Sequence, residues 1–133
     1  MGTVVDTSVL IASERGHLDP ERLVDVDEQQ AAVIAAITAS ELLQGVHRVP
    51  RTAIRLRRER FVETVLTTFT VIAFNLDIAR VHAQLAAELS TAGTPVGEAD
   101  LMIGATAVWL DYRVATRDLR SFPKIRGLEI VRW

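Results

Sequence analysis

The chain has 133 residues, a net charge of −2 at pH 7 and no cysteine. This length fits one domain, and the lack of cysteine excludes disulfides, thiolate metal sites and cysteine nucleophiles. The small negative charge is not typical of a general nucleic-acid binder, and neither a secretory signal nor a membrane-spanning apolar run is recognisable, so we expect a cytoplasmic protein.

The first predicted elements raise the question of what Asp6 does. Residues 3–6 predict a short buried strand, and residues 7–14 predict a helix opened by Thr7 or Ser8. Asp6 could cap that helix, because Asp, Thr and Ser accept hydrogen bonds from the free N–H groups at a helix start. Alternatively, Asp6 lies at the carboxyl end of a buried strand, where open α/β sheets place ligands and catalytic groups. One cap needs only one of these three residues, so the rest of the chain must decide.

Strands and helices alternate over the rest of the chain. The segment DPERLVDVDE, residues 19–28, predicts a short helix. The apolar run 31–37 predicts a strand, after which Thr38 or Ser40 begins a helix that Pro50 ends. Further helices are predicted over residues 51–67, 78–92 and 98–110, and further strands over residues 70–74, 113–116 and 129–131. This alternation predicts an α/β fold of three layers, α/β/α, around a short, mostly parallel central sheet.

Four acidic residues stand just after strands or in the first turns of helices, namely Asp6, Glu41, Asp100 and Asp118. Parallel strands share one carboxyl edge, where these side chains would meet if the helix of Asp100 also starts there. Singly, each has an ordinary structural role open to it, as a cap, a first-turn charge or a turn residue. Together they would repel one another unless a cation neutralised them. Because only oxygen ligands are available, we expect Mg²⁺, or alternatively Mn²⁺, rather than zinc.

Glycine follows two of these acids at the same spacing. Gly45 lies four residues after Glu41, and Gly104 lies four residues after Asp100, so each glycine shares a helix face with its acid. Glycine costs about 1 kcal/mol against alanine inside a helix, so either something approaches these faces closely or the helices pack tightly there. Both explanations remain open at this stage.

Arginine is concentrated in the stretch RVPRTAIRLRRER, residues 48–60. Arg51, Arg55 and Arg58 lie on one helix face, since they are spaced i, i+4 and i+7. They are candidate contacts for RNA phosphates, which would offset repulsion by the acidic site. A solvated helix face is at least an equally good interpretation of the same charges.

Four motifs in chain order resemble those of the PIN-domain nucleases, and most closely those of the VapC-type toxins of bacterial toxin–antitoxin pairs. VVDTSVLIA resembles the opening strand-and-acid motif, and SELLQG the S/T-x-E-L-x-x-G motif. GTPVGEADLMIGATAV is similar to the loop and acidic helix, and TRDLRSF to the closing T-x-N/D-x-x-x-F motif. These motifs extend from Thr3 to Phe122.

The resemblance implies a single PIN domain over residues 1–133 with metal-dependent endoribonuclease activity. It also implies a homodimer that a cognate antitoxin holds inactive by entering the active-site groove. Matching the motifs residue by residue makes Asp6, Glu41 and Asp100 the three core acids and puts Asp118 at the N/D position of the last motif. All four are thereby implied to be catalytic and metal-binding residues.

Two further positions match the family as hydroxyl residues that support the site, Ser8 and Thr116. The expected mechanism is in-line attack on phosphorus by a metal-activated water, leaving 5′-phosphate and 3′-hydroxyl ends as the resemblance implies. Ser121 departs from many relatives, in which an acid or histidine precedes the phenylalanine, and this puts a second metal position in doubt. Glu98 lies about 200° around the helix from Asp100 and is interpreted as a first-turn charge.

Other functions are compatible with parts of the sequence. A phosphatase of the haloacid dehalogenase type needs an acid two residues after its first one, where this chain has Ser8. A dinucleotide-binding fold needs a glycine-rich turn, which TSVLIAS lacks. The serious alternative is a PIN-like module that binds RNA or a protein partner without cleaving. The RNA itself could be transfer, ribosomal or messenger RNA.

Overall fold

The computed structural model describes residues 2–18 and 31–133, and the predicted helix at 19–28 lies outside them. The strands are β1 (Thr3–Val5), β2 (Ala32–Ala35), β3 (Thr70–Ile72), β4 (Arg113–Thr116) and β5 (Ile130–Arg132). The α-helices are α1 (Thr7–Glu14), α2 (Ala36–His47), α3 (Thr52–Thr68), α4 (Leu76–Ala92) and α5 (Glu98–Leu110). A short 3-10 helix, Phe122–Lys124, lies between β4 and β5.

The five strands form one sheet in the order β3-β2-β1-β4-β5, and every neighbouring pair is parallel. Strand β1 is central, with Val4 opposite Val33 of β2 on one side and Val114 of β4 on the other. All three residues of β1 are buried. Burial on both faces is typical of a parallel sheet covered by helices.

Two apolar cores lie on opposite faces of this sheet. One contains Val4 together with residues of α4 and α5, such as Ile78 and Ile103. The other contains Val5 together with residues of α1, α2 and α3, such as Leu10, Leu42, Val62 and Val65. The alternation of Val4 and Val5 follows from the two-residue period of a strand. The predicted three-layer α/β/α fold with a parallel sheet is therefore confirmed.

Most predicted element boundaries agree with the structure, and α1, α5 and β4 agree to the residue. The prediction that Thr38 or Ser40 begins the second helix was wrong, because α2 already begins at Ala36. Thr38 is fully buried and its hydroxyl meets that of Thr7, so its side chain serves the interior and not a helix cap. Strand β3 is shorter than predicted, and Asn75 caps α4 by accepting a hydrogen bond from the Ile78 backbone N–H.

Helix α5 crosses the domain as the predicted buried apolar helix. Its buried residues include Leu101, Ile103 and Ala105, whereas Trp109 near its end is 41% exposed. Among the helices in residues 2–18 and 31–133, none combines the length and apolar character needed to cross a membrane.

Candidate active site

Asp6 directly follows β1 and occupies the N-cap position of α1, but its side chain makes no capping hydrogen bond. Its Oδ2 atom instead accepts hydrogen bonds from the Ser8 hydroxyl at 2.6 Å and the Thr116 hydroxyl at 2.9 Å. The residue is only 4% exposed. A buried carboxylate held by two hydroxyl groups is a fixed acidic group at the sheet edge, so the capping interpretation is excluded.

The same two hydroxyl groups also form hydrogen bonds with the segment that follows β4, and so link it to Asp6. Ser8 Oγ accepts a hydrogen bond from the Arg117 backbone N–H at 3.1 Å, and Thr116 Oγ1 accepts one from the Asp118 N–H at 2.9 Å. Each hydroxyl therefore donates to the carboxylate and accepts from the backbone, as the donor and acceptor capacity of a hydroxyl allows. Ser8 and Thr116 thus each connect the Asp6 carboxylate to the backbone after β4.

Glu41 lies in the second turn of α2, where the Thr7 hydroxyl donates a 2.8 Å hydrogen bond to its Oε1 atom. Burial raises the pKa of Glu41 above its ordinary value, and the negative charges of Asp6 and Asp100 raise it further. The Thr7 hydrogen bond acts in the opposite direction. The side chain is therefore close enough to two other acids for their charges to act on it.

Asp100 is in the first turn of α5, which begins at the same sheet edge. Burial raises the pKa of Asp100, and the negative charges of Asp6 and Asp118 add to this effect. A hydrogen bond from the Ser121 side chain and the positive charge of Arg120 lower it. The charges of the acid after β1 and of the acid after β4 thus both act on Asp100.

Asp118 belongs to the same group but has a different partner. The Arg120 guanidinium binds both of its carboxylate oxygens, with Nε 3.0 Å from Oδ1 and Nη2 2.9 Å from Oδ2. This pairing lowers the pKa of Asp118 to about 2. In this arrangement Asp118 is therefore ionised at neutral pH and already has a cation bound to it.

The side chains as they stand do not surround a metal ion. Over residues 2–18 and 31–133, no three Asp, Glu or His side chains are grouped closely enough to hold one. The donor chemistry nevertheless fits a hard divalent cation, because Asp6, Glu41 and Asp100 offer only oxygen atoms. Burial is the main cause of the raised pKa values of Glu41 and Asp100, and the negative charges of neighbouring acids add to it; a bound cation would oppose both effects by favouring the ionised carboxylates.

The two glycines that follow acidic residues serve different purposes. A Cβ atom on Gly104 would lie 2.5 Å from Ile125 Cδ1, so this glycine permits close packing of α5 against the segment after the 3-10 helix. A Cβ atom on Gly45 would meet nothing within 4 Å. Gly45 and Glu41 instead line an open cavity of about 130 Å³. Tight packing thus explains Gly104, and of these two glycines only Gly45 has open space beside it.

The three arginines that the sequence placed on one helix face have different surroundings in the structure. Arg58 lines the same cavity as Glu41, and its Nε donates to Glu14 Oε1 at 2.9 Å. Arg55 is exposed and its guanidinium lies 3.0 Å from the His47 ring. Arg51 is exposed at the start of α3. Of the three, Arg58 is therefore the one placed directly beside the acidic group.

Sequence reasoning missed the role of the turn after β4. Arg120 was not singled out, and Ser121 was noted only for departing from the family pattern. The available signal was the spacing D-x-R, because an aspartate in a turn commonly binds the backbone N–H two residues on, as Asp118 Oδ1 does with Arg120 at 3.0 Å. Glu98 points elsewhere, and its Oε1 lies 2.8 Å from His82 Nε2.

Comparison with known proteins is consistent with this geometry. A family model for the PIN domain matches residues 3–128. Ribonuclease VapC1 of Rickettsia felis is 32% identical over 131 residues, which cover 98% of this chain and 96% of the relative. The tRNA(fMet)-specific endonuclease VapC of Salmonella typhimurium is 34% identical over 103 residues, covering 75% of this chain and 74% of the relative.

A solved structure of the same family is also similar to this chain in its fold. VapBC-5 of Mycobacterium tuberculosis, a member of the VapBC family of toxin–antitoxin systems, superposes with a TM-score of 0.79 at 32% identity. The alignment covers 99% of this chain and 98% of that one. The similarity therefore extends over the whole sheet and its helices.

Proposed function

Since the chain belongs to the PIN-domain family, and within it to the VapC-type ribonucleases, we propose that it is a metal-dependent endoribonuclease and the toxin of a toxin–antitoxin pair. The observation that carries the proposal is the convergence of Asp6, Glu41 and Asp100. The charges of Asp6 and Asp100 both act on Glu41, although the three residues belong to three different helices: Asp6 is the N-cap residue of α1, Glu41 lies in the second turn of α2 and Asp100 in the first turn of α5. Such a group of carboxylates has no structural need to be assembled.

Asp6, Glu41 and Asp100 are the residues that would hold Mg²⁺ or Mn²⁺. A bound divalent ion supplies Lewis-acid activation of water and of the phosphodiester. Asp118 completes the acidic group on the β4 side. The hydroxyl groups of Ser8 and Thr116 fix the orientation of Asp6, and that of Thr7 fixes the orientation of Glu41.

Asp6, Glu41 and Asp100 are also the groups that would accept the proton of an attacking water, through a carboxylate oxygen that does not hold the metal ion. Arg58 lines the cavity next to Glu41, so of the three predicted arginines it is the best placed to bind an RNA phosphate near the acidic site. Arg51 and Arg55 lie nearer the start of α3.

A cognate antitoxin is the protein partner that this function requires. The cavity beside Glu41 is a candidate for its binding site, because both apolar and charged side chains line it. Ile11 and Leu42 line it together with Glu14 and Arg58. A peptide segment with one basic and one aliphatic side chain would match both the acidic and the apolar side chains of this cavity and would cover Glu41.

We also propose that the chain forms a homodimer. Phe74, between β3 and α4, is 41% exposed, and Leu76, the first residue of α4, is 67% exposed. Phe74 also borders a mainly apolar cavity together with Ile37 and Met102. Adjacent exposed apolar side chains of this kind mark association surfaces. Light scattering after size-exclusion chromatography should give a dimer for the natural sequence and a monomer for Leu76→Glu.

The function is tested by RNA cleavage with the purified chain in Mg²⁺, in excess EDTA, and with Asp100→Asn. We expect cleavage only in Mg²⁺ and its loss in the variant. Glu98→Gln is the matched control, because it removes an exposed acid from the same helical turn, two residues away. Equal cleavage in EDTA would contradict a metal mechanism. RNA binding without any cleavage would favour the non-catalytic PIN-like module.

A further inference from the structure

One side chain supplies positive charge within the acidic group. Arg120 binds Asp118 through its backbone N–H, its Nε and its Nη2, at 3.0, 3.0 and 2.9 Å. The two residues are separated only by Leu119, so the turn itself holds the guanidinium against the carboxylate. A bidentate pair of this kind fixes the plane of the guanidinium as well as its position.

This cation acts on one side of the site only. The positive charge of Arg120 reaches Asp100, which also accepts a hydrogen bond from Ser121, the next residue of the turn. The charges that act on Glu41 are those of Asp6 and Asp100, and both are negative. Among the described residues, Arg120 is therefore bound to a carboxylate of the site, that of Asp118, whereas Arg58, which lines the cavity beside Glu41, is bound to Glu14 instead.

Two-metal nucleases use two cations about 4 Å apart to neutralise the attacking and leaving oxygens. In this chain the residue before Phe122 is Ser121, which is neither an acid nor a histidine. Both carboxylate oxygens of Asp118 are bound by Arg120. The ligands that a second ion would need on this side are thus either replaced by a hydroxyl or already neutralised. A guanidinium can take the electrostatic part of that role, because it is charged at every pH of interest and binds phosphate oxygens well.

We propose that Arg120 is a built-in cation on the Asp118 side of the site, so that the protein binds one divalent ion, among Asp6, Glu41 and Asp100, instead of two. Asp118 then acts as the anchor of Arg120 and not as a metal ligand. The Arg120 side chain is 88% exposed, so its remaining N–H groups face the solvent from which RNA approaches. This inference rests on the proposed metal-dependent function.

The test is the stoichiometry of Mn²⁺ binding by calorimetry, with the full chain and no RNA. We expect one ion per chain for the natural sequence. Arg120→Gln frees the Asp118 carboxylate and should add a second, weaker site. The double variant Arg120→Gln with Asp118→Asn should return to one ion. Because Arg120 is exposed, we expect these variants to fold, which circular dichroism checks.

Arg126→Gln is the matched control, since Arg126 is also an exposed arginine paired with a carboxylate, that of Glu88. It should leave one ion bound. Two ions bound to the natural sequence, or one ion bound to both the natural sequence and Arg120→Gln, would overturn the proposed role of Arg120 but leave the metal site standing. Absence of Mn²⁺ binding in every variant would overturn the proposed metal site and this inference with it.

Discussion

Thr116 Oγ1 lies 2.9 Å from Asp6 Oδ2, although 110 positions separate the two residues in the sequence. The register of the sheet explains this proximity, because Val5 of β1 pairs with Ala115 of β4 and the next residue of each strand follows at the carboxyl edge. Thr116 is fully buried, and its hydroxyl also accepts the Asp118 backbone N–H. One hydroxyl group therefore couples the central acid to the turn that carries Arg120.

Replacing this hydroxyl by a methyl group should be costly. Thr116→Val keeps the shape of the side chain but leaves the Asp118 N–H without its partner and removes a donor from a buried carboxylate. We expect a loss of about 1–3 kcal/mol in the free energy of unfolding, measured by urea denaturation. Thr116→Ser retains the hydroxyl and should lose clearly less. A Thr116→Val variant as stable as the natural protein would contradict the role of these hydrogen bonds, and a larger loss in Thr116→Ser would show that packing of the methyl group matters more.

The raised pKa values of Glu41 and Asp100 predict that these two carboxylates destabilise the protein at neutral pH when no metal is bound. A carboxyl whose pKa is raised by folding holds its proton to higher pH in the folded state than in the unfolded state. Its contribution to stability is therefore largest below its unfolded pKa and is lost as the pH rises through its folded pKa. Glu41 and Asp100 both belong to this class, with ordinary values of 4.5 and 3.8.

Asp100→Asn should accordingly raise the melting temperature in EDTA at pH 7, even though it removes activity. The gain should shrink as the pH is lowered and vanish below the ordinary pKa of aspartate, where the natural side chain is itself neutral. Glu98→Gln, at an exposed position of the same turn, should give no such gain. A melting temperature that falls in Asp100→Asn at pH 7 would contradict the repulsion among these acids.

A structural feature of this chain was predictable from the sequence where it depends on residues that are neighbours in the chain. The strand-then-acid pattern at Asp6 and the helix of Asp100 depend on residues adjacent in the chain, so their positions were predictable. Which hydroxyl would bind which carboxylate depends on strand register, which brings Ser8, Thr116 and Asp6 together from opposite ends of the chain. The start of α2 was missed because Thr38 had a buried partner in Thr7 that no local pattern reveals.

The basic segment of α3 should contribute to RNA affinity by binding phosphates. Binding is best measured in the Asp100→Asn background, so that the RNA stays intact. Replacing Arg51, Arg55 and Arg58 by glutamine should weaken binding and reduce the slope of log affinity against log salt by about 0.7 for each phosphate that is no longer neutralised. Arg126→Gln, which removes one exposed charge elsewhere, should leave the slope unchanged. An unaltered slope in the triple variant would assign these arginines to solvation of the helix.

The contrast between Gly45 and Gly104 predicts opposite effects of the same substitution. Gly45→Ala places a methyl group in open space and improves helix propensity, so stability should rise by up to about 1 kcal/mol. Gly104→Ala places a methyl group 2.5 Å from Ile125 Cδ1, and Ile125 is only 3% exposed, so it has little room to move. Overpacking of this kind costs about 1–3 kcal/mol, which exceeds the gain in propensity.

Urea denaturation measures whether the two substitutions change the free energy of unfolding in opposite directions, as the structure predicts.

A stable Gly45→Ala variant that also binds its antitoxin less well would mean that the partner occupies the space beside Glu41, because the added methyl group projects into the cavity that both residues line. Unchanged antitoxin binding would place the partner elsewhere on the surface. A Gly104→Ala variant as stable as the natural sequence would contradict the close packing of α5 against Ile125.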